Sequence, residues 1–316
     1  MVDPSVGPGD VLEGKYRLLR RVGRGGMGVL FEAEHLELPT KVAIKLSLRA
    51  QTAEQLARFR REAAVVVGIR SEHVCRVYDV GSTAAEEPYI VMELLPGEDL
   101  GQHLERRGPL DANTAVNYLL QACEGLAEAH LEGVVHRDLK PSNLFLTRRR
   151  DGSPLVKVLD FGIAKAGHEG GPHASLTSEE AIFGSPTYMS PEQLTKTKDV
   201  DGRTDIWSLG VTLYELLSGR VPFAAPSTAE VVVEILNKEP PPIAARGLSA
   251  ELTAILRHCL QKFPDQRFVH LGALAAALRP WAHGEGALCA ERVVRMFQAA
   301  PRAVIDSGTP PAEAGA

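Results

Sequence analysis

The stretch His136-Arg137-Asp138-Leu139-Lys140-Pro141-Ser142-Asn143 is the most specific signal in this sequence of 316 residues. Two short motifs follow it, Asp160-Phe161-Gly162 and Ser190-Pro191-Glu192. Two weaker motifs precede it, a glycine-rich run at residues 23–28 and Val42-Ala43-Ile44-Lys45. The probability that all five motifs occur in this order by coincidence is negligible. Each motif is therefore interpreted together with the others.

The glycine-rich run Gly23-Arg24-Gly25-Gly26-Met27-Gly28 is a G-x-G-x-x-G sequence, which alone is a weak signal. A dinucleotide-binding fold would place a helix directly after these glycines. Here an apolar run at residues 29–33 predicts a strand instead. The pattern therefore favours a hairpin whose backbone N–H groups approach phosphates, and a tight turn without a ligand is the alternative.

Lys45 lies in an apolar run that predicts a strand over residues 41–48. A cation on such a strand usually points to water. Glu62 follows on a helix predicted over residues 53–69, and an ion pair between the two would hold Lys45 against nucleotide phosphates. Judged from these residues alone, an exposed lysine is the favoured alternative.

Apolar spacing along the chain predicts a small β-rich region followed by a larger helical region. Further strands are predicted at residues 16–22, 74–80 and 89–94, with a hairpin turn at Asp151-Gly152. Helices are predicted at residues 111–131, 203–218, 227–237, 249–261 and 271–281. The polar, glycine-rich residues 166–180 predict a mobile loop.

Taken in order, the motifs resemble those of eukaryotic-like (Hanks-type) Ser/Thr protein kinases of the bacterial type. The resemblance covers about residues 11–281 and implies an α+β, bilobal protein-kinase-like fold. A small antiparallel β lobe with one helix would span residues 11–95, and a larger, mainly helical lobe residues 96–281. Outside this domain we expect a flexible leader at 1–10 and an extension at 282–316, with a helix at 286–299 and then a disordered tail.

The resemblance implies transfer of the γ-phosphate of ATP to serine or threonine hydroxyls of protein substrates. Asp138 would accept the proton of the substrate hydroxyl, and Lys140 would reach the γ-phosphate. Asn143 and Asp160 would bind Mg²⁺, or Mn²⁺, through oxygen atoms. A helix cap or a loop ion pair is the structural alternative for Asp138.

The resemblance also implies that the nucleotide lies between the two lobes, where Glu62 would hold Lys45 against its phosphates. The other nucleotide-binding residues implied are Val22, Gly23, Arg24, Gly25, Gly26, Met27, Gly28, Leu30, Ala43, Met92, Glu93, Leu95, Asp99 and Phe145. Leu30 and Ala43 would form the roof of the adenine pocket, and Phe145 its floor. Core packing is the alternative for these apolar side chains.

Four further positions match structural residues of the family. Asp205 would brace the catalytic loop, residues 136–143, from a helix of the larger lobe. Glu192 and Arg267 would form an ion pair in the same lobe. His136 would be a packed histidine rather than a catalyst.

Arg137 directly precedes Asp138. In the family an arginine at this position usually pairs with a phosphate on the activation segment, which corresponds to residues 160–192. Ser175, Thr177 and Ser178 lie in that segment. The resemblance therefore implies regulation by autophosphorylation, with Thr177 the favoured site and self-association of two copies allowing transfer in trans. An unmodified loop is the alternative.

Composition argues against several other classes of protein. Lys and Arg total 35 against 40 Asp and Glu, a net charge of −5 at pH 7, so general binding to nucleic acid is not expected. No apolar run is long enough to span a membrane and the N-terminus is not a signal peptide, so a cytoplasmic location is expected. The four cysteines, Cys75, Cys123, Cys259 and Cys289, lack zinc-ligand spacing, so no zinc site is expected and buried, reduced thiols are favoured.

Two other functions stand beside the kinase hypothesis. A pseudokinase scaffold would bind nucleotide without turnover, although the family's chemical residues are all present in the sequence. A small-molecule phosphotransferase on a related fold would usually lack the motif at residues 190–192 and the helix of Asp205. An active Ser/Thr protein kinase is the leading hypothesis.

Overall fold

A computed structural model describes two compact units of the chain. Its described residues are 4–25, 28–47, 59, 63, 66–161, 186–195, 200–243 and 248–300. Those of the first unit lie within 1–70 and 75–96, and those of the second within 71–74, 97–161 and 185–316. The two units are described in turn.

The first unit is built on a six-stranded antiparallel sheet. Its strands are β1 (Val11–Leu12), β2 (Tyr16–Gly25), β3 (Gly28–His35), β4 (Lys41–Ser47), β5 (Val77–Ser82) and β6 (Pro88–Glu93). Their order across the sheet is β1-β2-β3-β4-β6-β5. Because successive side chains of a strand point to opposite faces, each strand divides its residues between a core face and a second face.

The core face of this sheet carries the alternating apolar residues of the central strands. In β4 these residues are Val42, Ile44 and Leu46, and each of them is almost completely buried. They belong to one apolar cluster with Phe31 of β3 and Val91 of β6. The residues between them, at alternate positions, lie on the other face of the sheet.

Gly28 is required at the start of β3 by the close approach of β4. A Cβ atom built on Gly28 would lie 2.0 Å from the carbonyl oxygen of Leu46, and the residue has a φ of +157°. No L side chain fits that space. The last glycine of the motif therefore lets the hairpin lie directly against the neighbouring strand.

The second unit is mainly helical in its described residues. Its helices are α1 (Leu100–Arg107), α2 (Ala112–Leu131), α3 (Pro191–Thr195), α4 (Arg203–Ser218), α5 (Thr228–Asn237), α6 (Ala250–Cys259), α7 (Leu271–Leu278) and α8 (Gly284–Ala299). A three-stranded sheet is formed by β7 (Glu98–Asp99), β8 (Leu144–Arg148) and β9 (Pro154–Val158), with β8 in the centre.

Helix α2 forms the core of this unit. It begins at Asp111, whose carboxylate accepts a hydrogen bond from the backbone N of Thr114, and more than half of its residues are buried. Such an N-cap satisfies one of the free N–H groups of the first turn. Helix α8 packs against α2, because a Cβ on Gly286 would lie 2.0 Å from Oδ1 of Asn117 and Asn117 accepts a bond from the backbone N of His283.

The described fold confirms the α+β, protein-kinase-like class. The hairpin turn at Asp151-Gly152 is also confirmed, since Gly152 has a φ of +85° between the paired strands β8 and β9. The strand start at residue 74 is wrong, because the backbone around Val74 pairs with Val158 and β5 begins only at Val77.

Other predicted elements fall partly or wholly outside the described residues. Within the predicted helix at 53–69, the described Phe59, Ala63 and 66–68 are helical. The predicted loop at 166–180 and the predicted tail lie outside the described residues.

Candidate active site

Two side chains of the catalytic-loop motif contact Asp138. The amine of Lys140 donates to Oδ2 of Asp138 at 3.0 Å. The side-chain amide of Asn143 donates to the backbone oxygen of Asp138 at 2.7 Å and to Oδ2 at 3.2 Å. A short 3₁₀ turn at Pro141–Asn143 brings the asparagine back towards the aspartate. The sequence motif thus becomes a cluster of a carboxylate, an ammonium group and an amide.

The catalytic loop is attached to helix α4 through the buried Asp205. Its carboxylate accepts from the backbone N atoms of His136 and Arg137, both at 2.9 Å. It also bonds Nε2 of His130 at 2.8 Å. Burial raises the pKa of Asp205, but the bonds from His130 and the backbone outweigh it and hold the pKa below its ordinary value. The predicted bracing role of Asp205 is confirmed.

His136 links the catalytic loop to the residues just before Asp160. Its Nε2 lies 2.7 Å from the carbonyl oxygen of Leu159, which only accepts, so Nε2 carries the proton. The other nitrogen, Nδ1, then accepts from the backbone N of Asp138 at 3.2 Å. The ring is fully buried, and burial lowers its pKa, which keeps it neutral. His136 is therefore a packed histidine, as predicted.

Two non-glycine residues beside the site have a left-handed backbone. The φ angle is 63° at Arg137 and 54° at Asp160. Such conformations cost about 1–3 kcal/mol each and occur where surrounding structure holds them. At Arg137 that structure is visible, because its N–H bonds Asp205 and its carbonyl accepts from the side chain of Gln193 at 2.9 Å.

Asn143 and Asp160 offer oxygen atoms that suit a divalent cation. The backbone N of Leu159 donates to the oxygen of Asn143 at 2.9 Å, which ties the two segments together. Because the amide nitrogen of Asn143 donates to Asp138, its Oδ1 is the atom left to act as an acceptor. One amide oxygen and one carboxylate fit the preference of Mg²⁺ for hard oxygen ligands.

The predicted ion pair between Glu192 and Arg267 is confirmed. Nη1 and Nη2 of Arg267 donate to Oε1 and Oε2 of Glu192, both at 2.7 Å. The Arg267 side chain has no exposed surface. The remaining donors of Arg267 bond the backbone oxygens of Arg203, Gln261 and Lys262. A fully satisfied guanidinium of this kind fixes the helices around it.

In the first unit, one face of the sheet collects four of the predicted nucleotide-binding residues. The register places Leu30 opposite Lys45 and Ala43 opposite Met92. Directly paired residues share a face of an antiparallel sheet, as do residues two apart on one strand. Leu30, Ala43, Lys45 and Met92 therefore lie on the face opposite the apolar cluster, and Leu30, Lys45 and Met92 are partly exposed there.

The glycine hairpin continues this sheet at the end of β2. Gly23 pairs with Leu30, Arg24 with Val29 and Gly25 with Gly28, while Val22 is 44% exposed. The last described pair before the turn, Gly25 with Gly28, carries no side chain. Gly26, Met27 and Glu62 lie outside the described residues, as do the predicted phosphorylation sites Ser175, Thr177 and Ser178.

The predicted residues after β6 fall in different units. Glu93 ends β6, with its N–H bonded to the oxygen of Arg76 at 3.0 Å, and Leu95 follows it in the first unit. In the second unit Asp99 pairs with Phe145 across β7 and β8. One oxygen of Asp99 also caps α1 by accepting from the backbone N of Gln102 at 2.9 Å.

A cavity beside the catalytic loop is lined in part by Glu215, which the sequence analysis missed. It has a volume of about 420 Å³, and Lys140, Ser142, Tyr188 and Glu215 are among the residues that line it. Tyr188 donates its hydroxyl to Glu215 at 2.6 Å. Burial raises the pKa of Glu215, although the bond from Tyr188 acts in the opposite direction. Neither residue lies in a catalytic motif, so no local signal pointed to the cavity.

No helix in the described part of the chain is both long enough and apolar enough to cross a membrane.

Residues 16–281 match the family model described as the protein kinase domain. The serine/threonine-protein kinase Pkn1 of Myxococcus xanthus is 41% identical over 281 residues, which cover 88% of this chain and 39% of Pkn1. The serine/threonine-protein kinase PknB of Mycobacterium tuberculosis is 36% identical over 282 residues, covering 87% of this chain and 44% of PknB. The chain thus spans less than half the length of these two relatives.

Solved structures give the same result. The crystal structure of the PknI kinase domain of Mycobacterium tuberculosis has a TM-score of 0.70 to this chain and 27% sequence identity. The superposition covers 88% of this chain and 100% of that domain.

Proposed function

The chain belongs to the protein kinase domain family, and we propose that it transfers the γ-phosphate of ATP to serine and threonine hydroxyls of proteins. The observation that carries this proposal is the contact of Lys140 and Asn143 with Asp138 on a loop that Asp205 fastens. The relatives named as serine/threonine-protein kinases support the substrate class.

The proposed reaction uses Asp138 to orient and deprotonate the substrate. The attacking hydroxyl bonds the Asp138 carboxylate, and its proton passes to that carboxylate as the new oxygen–phosphorus bond forms. The bond from the γ-phosphorus to the oxygen that bridges it to the β-phosphorus breaks, and ADP leaves. Lys140, 3.0 Å from Asp138, neutralises charge on the transferring phosphoryl group.

Asn143 and Asp160 are the proposed ligands of the cation that accompanies ATP, Mg²⁺ or Mn²⁺. When bound, this cation neutralises charge on the phosphates. The bond from the Asn143 side-chain nitrogen to the oxygen of Asp138 holds the asparagine in position. Asn143 is therefore fixed by the same loop that carries the proposed base, and the backbone N of Leu159, next to Asp160, bonds the oxygen of Asn143.

The face of the first unit that carries Leu30, Ala43, Lys45 and Met92 is the proposed nucleotide-binding surface. Lys45 would pair with phosphates, and Glu62 would orient it. The glycine hairpin would supply backbone N–H groups, since its paired part at Gly25 and Gly28 presents no side chain to a ligand. Backbone groups of Glu93 and Leu95 would bond the base. Asp99 and Phe145, in the second unit, are further proposed nucleotide-binding residues.

The proposed activity is tested by incubating the purified chain with radiolabelled ATP, Mg²⁺ and a mixed protein substrate. We expect label in protein from the wild type and from Asp151→Asn, and none from Asp138→Asn. Asp151 is a suitable control because it lies on the exposed turn between β8 and β9. ATP binding with no transfer to any protein would instead support the pseudokinase scaffold, and label only in a small molecule would support the third hypothesis.

The cavity at Glu215 indicates the chemistry of the substrate beside the acceptor hydroxyl. Its half-buried carboxylate lies in the same cavity as Lys140 and Ser142 of the catalytic loop. A positively charged side chain would neutralise Glu215 there, and charge-assisted hydrogen bonds are stronger than neutral ones. We therefore expect a preference for substrates with arginine or lysine near the phosphorylated residue.

Autophosphorylation of the activation segment is the proposed regulation, with Thr177 the favoured site over Ser175 and Ser178. Arg137 supports it, because its side chain is exposed next to Asp138 and a phosphate would pair with a guanidinium. Mass spectrometry should find phosphate between residues 165 and 185 after incubation with ATP. An active sample without phosphate there would contradict this regulation.

Self-association would let one copy modify another. Incubating wild-type chain with a tagged, inactive Lys45→Met chain separates the two routes, since only transfer in trans labels the inactive copy. Label confined to the wild-type chain would show that modification occurs within one molecule.

A further inference from the structure

A cluster of His73, Glu124 and Cys289 lies in the second unit and shares no residue with the proposed catalytic groups. His73 precedes β5, Glu124 lies on α2 and Cys289 on α8. The side chains of His73 and Cys289 are buried, and that of Glu124 is 10% exposed. One nitrogen, one oxygen and one sulfur atom of these residues lie within 4.8 Å of one another. Three metal-ligating types of side chain therefore meet from distant positions in the sequence.

The imidazole of His73 presents a lone pair to this cluster. Its Nδ1 lies 2.9 Å from the carbonyl oxygen of Val156, and because that oxygen only accepts, Nδ1 carries the proton. With its single proton on Nδ1, the neutral ring leaves the lone pair of Nε2 available. Nε2 lies 3.6 Å from Sγ of Cys289 and 3.7 Å from Oε2 of Glu124. The oxygen is too distant for a direct hydrogen bond.

Acceptors outnumber protons in the described part of this cluster. Arg292 donates from Nε and Nη2 to the two oxygens of Glu124, at 2.7 and 2.8 Å. The same Nη2 lies 2.5 Å from Glu285 and 3.4 Å from Sγ of Cys289, so its two N–H bonds face three acceptors. The thiol of Cys289 itself lies 3.8 Å from Oε1 of Glu285, to which it can donate. The guanidinium orients the Glu124 carboxylate, and the second lone pair of Oε2 remains for the space beside His73.

The separation of the nitrogen and sulfur atoms suits a tetrahedral metal ion. With bonds of about 2.0 Å to nitrogen and about 2.3 Å to sulfur, tetrahedral angles place the two ligand atoms roughly 3.5 Å apart. The observed separation of Nε2 and Sγ is 3.6 Å. The bond from Nδ1 to a backbone carbonyl is the contact that usually fixes the ring of a metal-bound histidine.

The charge of the surroundings also suits a dication. The carboxylates of Glu72, Glu124 and Glu285 face the guanidinium groups of Arg149 and Arg292. Three negative charges against two positive charges leave one negative charge while the Cys289 thiol keeps its proton. Adding a dication and removing that proton brings the cluster to neutrality.

We propose that His73 Nε2, Cys289 Sγ and Glu124 Oε2 bind a Zn²⁺ ion, with water or Glu285 at the fourth position. On binding, the Cys289 thiol releases its proton to solvent as the zinc–sulfur bond forms, and no oxidation occurs. Imidazole and thiolate ligands select Zn²⁺ over Mg²⁺. The ion would fasten α8 to α2 and to residues 71–74. This site is independent of the proposed phosphoryl transfer.

The first test titrates metal-free protein with Co²⁺, which replaces Zn²⁺ and gives visible spectra. We expect a thiolate-to-cobalt charge-transfer band that saturates at one equivalent and disappears when Zn²⁺ is added. Cations at Asn143 and Asp160 cannot produce this band, because neither residue contains sulfur. Cys289→Ser and His73→Gln should each abolish it, whereas Cys259→Ser, which alters a buried thiol on α6, should retain it.

A second measurement, made on the wild type, does not depend on the folding of Cys289→Ser or His73→Gln. X-ray absorption of zinc-loaded wild-type chain should show one sulfur ligand and one imidazole, and Cys259→Ser should give the same spectrum. A cobalt charge-transfer band that survives in folded Cys289→Ser would overturn the proposal. So would zinc bound only through oxygen and nitrogen, or wild-type protein that retains no zinc after desalting.

Discussion

The catalytic loop and the cluster around His73 are both polar groups held inside the second unit, but they are encoded in different ways. Lys140 and Asn143 contact Asp138 from within one short stretch of sequence. Cys289 and His73 meet across 216 positions of the chain. A motif search detects the first arrangement, whereas the second exists only after α8 has packed on α2.

The two regions also differ in what their surroundings hold in place. The catalytic loop contains a left-handed residue, Arg137, whose backbone is fixed by Asp205 and Gln193. The cluster contains no strained backbone among its described residues, and its side chains are fixed by Arg292 and by the carbonyl of Val156. The first arrangement suits chemistry that needs precise positioning, and the second suits the fastening of elements to each other.

The largest expected effect lies at Lys140 in the catalytic loop. Lys140→Met should lower kcat by about 10²–10³-fold, the usual cost of removing one group that stabilises charge in a transition state. The matched control is Lys238→Met, which removes an exposed lysine paired with Glu234 and should leave kcat unchanged. Steady-state kinetics with a protein substrate measures both, and an equal loss in the control would contradict the role of Lys140.

The next largest effect is a change in stability, and it concerns the ion pair between Glu192 and Arg267. Glu192→Gln should lower the free energy of unfolding by about 3–5 kcal/mol, because it leaves the buried guanidinium of Arg267 without its partner. Denaturant titration measures this change. A loss smaller than that of an exposed substitution such as Glu230→Gln would contradict the account.

The pH dependence of the same pair has a definite sign. Burial raises the pKa of Glu192, but the bonds from Arg267 outweigh it, so the pKa lies below its ordinary value of 4.5. The stabilising contribution of the carboxylate is therefore complete above pH 4.5 and is lost as the pH falls through the lower folded-state pKa. Wild-type protein should lose more stability than Glu192→Gln over that acidic range in denaturant titrations at several pH values.

A smaller effect is expected at the cavity beside the catalytic loop. Glu215→Gln should lower kcat/KM about tenfold for a peptide with arginine near the acceptor, the value of one charge-assisted hydrogen bond of about 1.4 kcal/mol. A neutral version of the peptide should change far less. Glu230→Gln is the control, because Glu230 is exposed on α5. If Glu215→Gln lowered kcat/KM equally for the two peptides, a role of Glu215 in substrate choice would be contradicted.

The smallest effect on chemistry is expected at Cys289. Cys289→Ser should leave the phosphotransfer rate unchanged within error, since Cys289 is not among the side chains that contact Asp138. Thermal unfolding should nevertheless distinguish the chains, because Zn²⁺ at a hundred times its Kd would stabilise the wild type by about 2.7 kcal/mol. If Zn²⁺ stabilised Cys289→Ser as much as the wild type, zinc binding by this cluster would be contradicted.

Two kinds of feature could be predicted from the sequence. In the first, residues that contact each other are close in the chain, and in the second, the residues match a known family motif. The hairpin at Gly152 depends on local turn chemistry. Asp205 and Arg267 are distant from their partners, yet the family resemblance predicted both. The bond from His130 to Asp205 and the cavity at Glu215 carry no such motif, and they appear only when the helices are packed.

Boundaries were harder to predict for the same physical reason. Apolar spacing extended a strand back to residue 74, but the tertiary fold engages that backbone with β9 instead, through Val158. Zinc-ligand spacing was absent around Cys289, because ligands contributed by α2, α8 and residue 73 have no fixed separation in the sequence. Local patterns describe local structure, and packing decides the rest.

The central claim is that this chain phosphorylates protein hydroxyls through Asp138. The most direct measurement is phosphoamino acid analysis of protein labelled with radioactive ATP by the wild type, by Asp138→Asn and by Asp151→Asn. We expect phosphoserine and phosphothreonine from the wild type and from Asp151→Asn, and neither from Asp138→Asn. Equal labelling by Asp138→Asn, or no labelled protein from the wild type, would contradict the claim.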